Sequence, residues 1–154
     1  MIYTVTLNPA IDYVMHPLTL DMGFTNRSSS EELYCGGNGI NISTLLNELK
    51  VANIAFGIVA GFTGDYLVKT MQKNGVASNF VRLDRGFTRI NVKLNGIVMT
   101  MVNGMGPKIS EKKVDELLER IKAHNYEVVP VPEWGSVVQM NVEAYRRAID
   151  LAGA

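Results

Sequence analysis

The sequence predicts an α/β fold, with a parallel sheet flanked by helices and a small antiparallel β layer beside it. Two observations predict the parallel sheet and its single domain. Short β-branched runs alternate with helical patterns over the first half of the chain, which predicts the parallel sheet. A length of 154 residues favours one domain over residues 1–154. A third observation predicts the antiparallel layer, because Asn95-Gly96 separates two β-rich segments and is a strong hairpin signal.

The first elements predict a β-α-β-α order. Residues 2–7 are rich in β-branched residues and are followed by Asn8-Pro9, so we expect a strand that ends in a turn. Residues 12–15 and 32–35 predict short extended segments around a polar loop. Apolar residues at helical spacing then predict an amphipathic helix over residues 39–49, on the positions Ile42, Leu45, Leu46 and Leu49.

The next elements continue the alternation. Residues 54–60 predict a buried strand. Thr63 is expected to cap a second helix that runs to Lys73, before Asn74-Gly75 ends it. The remaining predicted strands are 80–83, 88–94, 98–102 and 128–131. A third helix is predicted after the cap residue Ser110, with Val114, Leu117, Leu118 and Ile121 on one face. A last helix is marked by Tyr145, Ala148, Ile149 and Ala152.

Composition and charge exclude several classes of function. Fifteen Lys and Arg residues balance fifteen Asp and Glu residues, so no summed charge would attract nucleic acid or an anionic membrane. One cysteine cannot form an internal disulfide, and we see neither a signal peptide nor an apolar run of about 20 residues. We therefore expect a cytoplasmic protein with no nucleic-acid or membrane partner.

A glycine-rich segment before the first helix is the main candidate site. Gly36, Gly37 and Gly39 lie where free backbone N–H groups favour an anion or sugar hydroxyls, and Asn38 and Asn41 could add side-chain hydrogen bonds. The alternative is a tight strand-to-helix turn without a ligand. A dinucleotide fingerprint is excluded because Ile42 occupies the third glycine position, and no Gly-Lys-Ser/Thr sequence of a P-loop follows.

Charged residues elsewhere could complete such a site. Asp12 follows a strand-ending turn, where it could accept hydrogen bonds from sugar hydroxyls or only stabilise the turn. Arg27 and Arg89 could each hold a phosphate, or be ordinary surface arginines. His16 and His124 lack partners at metal-ligand spacing, so we predict no metal site and no histidine-based triad.

Five ordered segments together resemble the PfkB sugar kinases, which have a ribokinase-like fold. The resemblance is to their 1-phosphofructokinase and tagatose-6-phosphate kinase branch, and it covers residues 1 to about 125. The segments are TLNPAID at 6–12, GGNGINIS at 36–43, AGFTGD at 60–65, TRINVKL at 88–94 and NGMGPKIS at 103–110.

The resemblance implies ATP-dependent phosphoryl transfer to fructose 1-phosphate or a similar ketohexose phosphate. Asp12 and Asn41 would bind sugar hydroxyls, the turn at 36–39 would close on them, and Arg27 and Arg89 would hold the phosphate already present on the substrate. ATP and Mg²⁺ are the implied cofactors. Lid segments at about 10–16, 27–35 and 87–103 would cover the sugar and pair two subunits.

The family's catalytic segments are missing from this chain. Its Gly-Ala-Gly-Asp segment, whose Asp is the base, is absent, and no Asn is followed by Glu three residues later. Asp65 matches an earlier family segment, so we predict no catalytic residue, and Asn38 stands where the branch usually carries Lys. We therefore expect the amino-terminal, substrate-binding part of a kinase, inactive alone. The alternatives are a non-catalytic sugar-phosphate-binding or lid-pairing module that regulates a full-length kinase, and a structural remnant without a ligand.

Overall fold

A computed structural model describes residues 1–96 and 98–124. By its packing the chain divides into two units, Met1–Ile109 and Ser110–Ala154. The strand predicted at 128–131 and the last predicted helix lie outside the described residues. In chain order the elements are β1 (Ile2–Thr6), β2 (Ala10–Pro17), β3 (Ser28–Gly36), α1 (Asn38–Glu48), β4 (Asn53–Ala60), α2 (Gly61–Lys73), β5 (Ser78–Leu83), β6 (Arg89–Asn95), β7 (Met99–Asn103) and α3 (Glu111–Lys122).

Three strands form the parallel sheet that the alternation predicts, here called the main sheet. Its order is β1-β4-β5, with α1 and α2 as the crossover helices. After Asn53, the central strand β4 is apolar to its end, as expected for a strand that is covered on both faces. Ala55 and Val59 belong to the core cluster with Ile40, Leu67 and Met71 of the two helices, whereas Phe56 and Ile58 alternate with them and are equally buried.

Helix α1 covers the predicted residues but faces the sheet with a different side. Ile40 and Ser43 are buried, and the Ser43 hydroxyl lies 2.7 Å from that of Thr4 in β1. Three of the four apolar positions that predicted the helix are half exposed: Ile42, Leu45 and Leu49. Gly39 approaches β1 so closely that a Cβ there would lie 2.8 Å from the Val5 carbonyl, and the side of the helix that faces the sheet carries Gly39, Ile40 and Ser43 rather than the leucine stripe.

Helix α2 begins two residues before the predicted cap. Its N-cap is Ala60, and Gly61 has the left-handed φ of 56° that favours glycine. Thr63 does not cap the helix. Its hydroxyl instead donates to the carbonyl of Thr88 at 2.7 Å, and the Thr88 hydroxyl accepts from the Ala60 amide at 2.9 Å. These buried bonds join the end of β4 and the first turn of α2 to Thr88, the residue before β6.

Four strands form a second sheet in the order β3-β2-β6-β7. The predicted hairpin is confirmed, because β6 and β7 pair antiparallel across Asn95 and Met99. The sheet is mixed rather than wholly antiparallel, since β2 and β6 run parallel. The physical reason is the connection: the chain from β2 to β6 passes through β3, both helices, β4 and β5, and a long crossover allows parallel pairing where a tight turn does not.

Helix α3 belongs to the second unit and confirms the helix predicted after Ser110. Ser110 is its N-cap residue, without a side-chain capping bond. On its surface Glu116 accepts from Lys113 and Arg120, both at 2.8 Å, and these cations lower the pKa of the Glu116 carboxyl. Among the described residues no helix has the length and apolar character to cross a bilayer.

Candidate functional site

The glycine turn, residues 36–39, is pressed against the end of β1 and against Asp12. A Cβ on Gly36 would lie 2.7–2.9 Å from the Asp12 carboxylate, and one on Gly39 would lie 2.8 Å from the Val5 carbonyl. Gly37 has a φ of 129°, in the region that favours glycine. Glycine is therefore required here by packing, and the same packing brings backbone close to a carboxylate.

Asp12 lies at the centre of a polar group in the second sheet. The Asn91 amide donates to its Oδ1 at 2.8 Å, and the Lys93 ammonium lies 2.6 Å from its Oδ2. We call Asp12, Asn91, Lys93 and Gly36 the Asp12 cluster. Because β2 pairs with β6 in register, with Asp12 opposite Asn91, these side chains share one face of the sheet.

The same face carries further polar groups that lack partners. Arg89, Asn91 and Lys93 alternate along β6, so all three side chains point to the Asp12 side. Within the described part of the chain, the buried atoms Arg89 Nε, Asn91 Oδ1 and Thr6 Oγ1 have no hydrogen-bond partner. Thr6 lies directly against Gly37 and Gly39. Buried polar groups normally have partners, so these atoms mark a place where a polar ligand would complete the bonding.

The start of α1 adds a site for negative charge. Its N-cap residue, Gly37, makes no side-chain capping bond, and no acidic residue lies in the first turn. The first backbone N–H groups of the helix are therefore available at its positive end. Asn38 and Asn41 are the exposed residues of this first turn, beside the glycine turn that touches Asp12, whereas Ile40 between them is buried.

Arg27 lies away from these residues. It directly precedes β3, whose first residue, Ser28, pairs with Pro17, whereas Asp12 pairs with Tyr34 near the other end of the strand. Seven residues of extended chain separate Arg27 from Tyr34, roughly 23 Å. The structure thus brings Asp12, Arg89 and the glycine turn together and leaves Arg27 at the far end of the second sheet.

Sequence reasoning missed Asn91 and Lys93. The signal was present, because Arg89, Asn91 and Lys93 are polar residues at two-residue spacing inside a predicted strand. A strand with one polar and one apolar face indicates that the polar face meets water or a ligand. The pairing with Asp12 was not predictable, since nothing local specifies that β6 lies beside β2.

Cys35 is not a candidate nucleophile. It points to the opposite, apolar face of the second sheet and packs against the core cluster, where its thiol donates to the Leu67 carbonyl at 3.8 Å. Burial raises the pKa of the Cys35 thiol to about 11, so it stays protonated at neutral pH. In residues 1–96 and 98–124, no three His, Cys, Asp or Glu side chains come together as metal ligands.

Comparison with known proteins identifies the family. Residues 5–152 match the pfkB family carbohydrate kinases. The chain belongs to this family. The PfkB resemblance drawn from the five segments is thereby confirmed, and the Asp12 cluster is built from three of them, TLNPAID, GGNGINIS and TRINVKL.

Individual PfkB relatives agree with the match but are longer. The chain is 44% identical over 123 residues to the 1-phosphofructokinase of Bacillus subtilis, and 34% identical over 122 residues to the D-tagatose-1-phosphate kinase of Bacillus licheniformis. These alignments cover 80% and 79% of this chain but 40% of each relative.

A solved structure confirms the fold. A Staphylococcus aureus protein assigned as a phosphofructokinase superposes with a TM-score of 0.79 and 34% identity, covering 96% of this chain and 48% of that one. The partial ribokinase-like fold is thus confirmed, and the chain spans less than half the length of these relatives.

Proposed function

We propose that this chain is the sugar-phosphate-binding part of a PfkB kinase that transfers phosphoryl groups from ATP to a ketohexose phosphate such as fructose 1-phosphate. The observation that carries the proposal is the Asp12 cluster. It places a carboxylate, an amide and an ammonium group together on one sheet face, against a glycine turn at a helix amino terminus. The relatives named for fructose and tagatose phosphates support the substrate class.

Each group matches one part of such a substrate. Asp12 accepts hydrogen bonds from sugar hydroxyls, and the free Asn91 Oδ1 and Thr6 Oγ1 supply further partners. Arg89, whose Nε lacks a partner, binds the existing phosphate, with Asn38, Asn41 and the first N–H groups of α1 along the edge of the site. The second sheet, with segments 10–16, 27–35 and 87–103, covers the sugar as a lid. Arg27, at its far end, reaches the site only if the sheet moves.

The cofactors that the family implies are ATP and Mg²⁺, which supply the phosphoryl group and neutralise its charge during transfer. Among the described residues no three His, Cys, Asp or Glu side chains converge as metal ligands, and none of these residues is assigned to Mg²⁺. We therefore assign this chain the binding and orientation of the sugar phosphate, and assign no step of the transfer to its residues.

Binding of fructose 1-phosphate tests the proposal directly. Isothermal titration of the whole chain is expected to show saturable binding of fructose 1-phosphate, and a coupled kinase assay with MgATP is expected to show no turnover. Asp12→Asn should weaken binding about tenfold or more, because a hydroxyl–carboxylate bond is lost. Asp84→Asn removes an equal charge from an exposed turn and should leave binding unchanged. Turnover by the chain alone, or equal effects of the two variants, would contradict the proposal.

A second candidate function is favoured by the exposed apolar residues of the second sheet. Leu33, Met99, Met101 and Val102 are each about half exposed or more. Met99 and Met101 lie on the face of Lys93, and Leu33 and Val102 lie on the opposite face. Exposed apolar residues on a sheet fit a lid that pairs with another lid, in a homodimer or in a mixed dimer with a full-length kinase. Light scattering after gel filtration is expected to show a dimer that Val102→Lys converts to monomer. Met105→Lys, at an exposed loop residue, is the matched control, and a monomeric wild-type chain would rule out the homodimer.

A further inference from the structure

We infer that the ion pair between Asp12 and Lys93 makes this site selective for phosphorylated over unphosphorylated sugars. The inference rests on the proposed sugar-phosphate site and adds Lys93 as its specificity residue. Lys93 contacts the carboxylate that a sugar needs. A substrate phosphate then draws the ammonium away, whereas a neutral sugar offers it no replacement partner.

Both oxygens of the Asp12 carboxylate contact side chains of β6. Asn91 donates to Oδ1 at 2.8 Å, and Lys93 contacts Oδ2 at 2.6 Å. The Asp12 side chain is only 14% exposed. Gly36 closes it from another side, since even a Cβ there would lie within 2.9 Å of the carboxylate. A sugar hydroxyl can therefore approach Asp12 fully only where one of the two donors gives way.

Lys93 is the donor that can move. Asn91 is 8% exposed and is held by a short side chain in the middle of the sheet. The Lys93 side chain is 28% exposed, twice as much as that of Asp12, and carries its charge on a flexible four-carbon stem. Displacing Lys93 thus opens Oδ2 without disturbing the sheet.

The energetic consequence depends on the ligand. A neutral sugar replaces a charge-assisted contact by hydroxyl bonds and leaves a half-buried ammonium without its counter-ion, which is unfavourable. A phosphorylated sugar supplies a new anion for Lys93, and Arg89 lies two positions beyond Asn91 on the same face with an unpartnered Nε. The ion pair therefore lowers the affinity for the unphosphorylated sugar. This discrimination needs no direct contact between the ion pair and that sugar.

The test compares two ligands on Lys93→Gln, with Lys69→Gln as the matched control. Lys69 is exposed on α2, so this variant loses the same charge away from the cluster. By isothermal titration of the full chain, Lys93→Gln should weaken fructose 1-phosphate binding about tenfold or more. It should bind fructose as tightly as the wild type or more tightly, because Asp12 Oδ2 is then free. Lys69→Gln should change neither affinity.

The outcomes separate this inference from the proposed function. If the wild-type chain binds no fructose 1-phosphate, the proposed function fails and the inference with it. If the wild type binds but Lys93→Gln weakens both ligands equally, Lys93 only holds Asp12 in place and the inference alone is overturned. An unchanged affinity for fructose 1-phosphate also overturns it. Lys93→Arg keeps the charge and should keep most of the preference for the phosphorylated sugar; a folded Lys93→Arg chain without that preference contradicts the inference even if Lys93→Gln does not fold.

Discussion

The main sheet and the second sheet have opposite characters although they share one packed unit. Six of the eight residues of β4 in the main sheet form one continuous buried run, whereas every residue of β7 in the second sheet is exposed. The main sheet and its two helices hold most of the core cluster, to which the second sheet adds Ile11. The second sheet carries Asp12, Arg89, Asn91 and Lys93. The main sheet thus supplies most of the stability, and the second sheet supplies the ligand-binding side chains. Substitutions in the main sheet should therefore affect stability most, and substitutions in the second sheet should affect binding most.

The largest expected effect tests the main sheet as the source of stability. Phe56→Ala removes a fully buried ring from β4 and should lower the free energy of unfolding by about 3–5 kcal/mol. Met101→Ala on the second sheet removes a side chain that is 58% exposed and should stay within about 0.5 kcal/mol. Urea denaturation measures both. Similar losses would show that the two sheets do not differ in stability.

The next effect concerns the junction between the sheets. Thr88→Val removes the hydroxyl that accepts from the Ala60 amide and leaves that buried N–H without a partner, at an expected cost of about 1–3 kcal/mol. Thr100→Val, at an exposed position of β7, is the control and should be nearly neutral. If the unfolding transitions of Thr88→Val, followed by fluorescence and by circular dichroism, coincide with each other and keep the wild-type midpoint, the junction does not couple the sheets.

A smaller effect on stability should accompany a large effect on binding at the glycine turn. Gly36→Ala places a methyl group against the Asp12 carboxylate and should cost about 1–3 kcal/mol while weakening fructose 1-phosphate binding. The methyl group of Gly96→Ala would meet its nearest atom, the Pro17 carbonyl, at 3.5 Å, which is ordinary contact. Thermal melting and titration of both variants check this, and a Gly36→Ala chain with wild-type affinity would remove the turn from the site.

The smallest expected effect concerns the reactivity of the Cys35 thiol, which lies where the second sheet packs against the core. With a pKa raised to about 11, its thiol should react with iodoacetamide far more slowly at pH 8 than the same thiol in urea. Since the protonated thiol is favoured in the folded state, its contribution to stability is complete below pH 9 and is lost as pH rises through 11. Equal rates of alkylation in buffer and in urea would show that the apolar face of the second sheet is accessible to solvent in the folded chain.

The sequence predicted the elements well and their contacts poorly. Strand β4 and the Asn95-Gly96 hairpin follow from local patterns, so they were predictable. Thr63 had the residue type of a cap, but its hydroxyl is used in a bond to Thr88, 25 positions later. Helix α1 shows the same limit, because packing of Gly39 on β1 overrides the leucine pattern. In the site, Asp12 and Arg89 were found from residue type, whereas Lys93 required knowledge of which strands are neighbours.

The parallel pairing of β2 with β6 has a consequence for the order of folding. Asp12 and Asn91 are 79 positions apart, and the chain between them contains β4, β5 and both crossover helices. Closing so long a loop costs entropy that is recovered only after the intervening segments have collapsed into their own structure. We therefore expect the ligand-binding contacts to form last during refolding, so that recovery of sugar binding would serve as a kinetic signal that the unit has reached its native state.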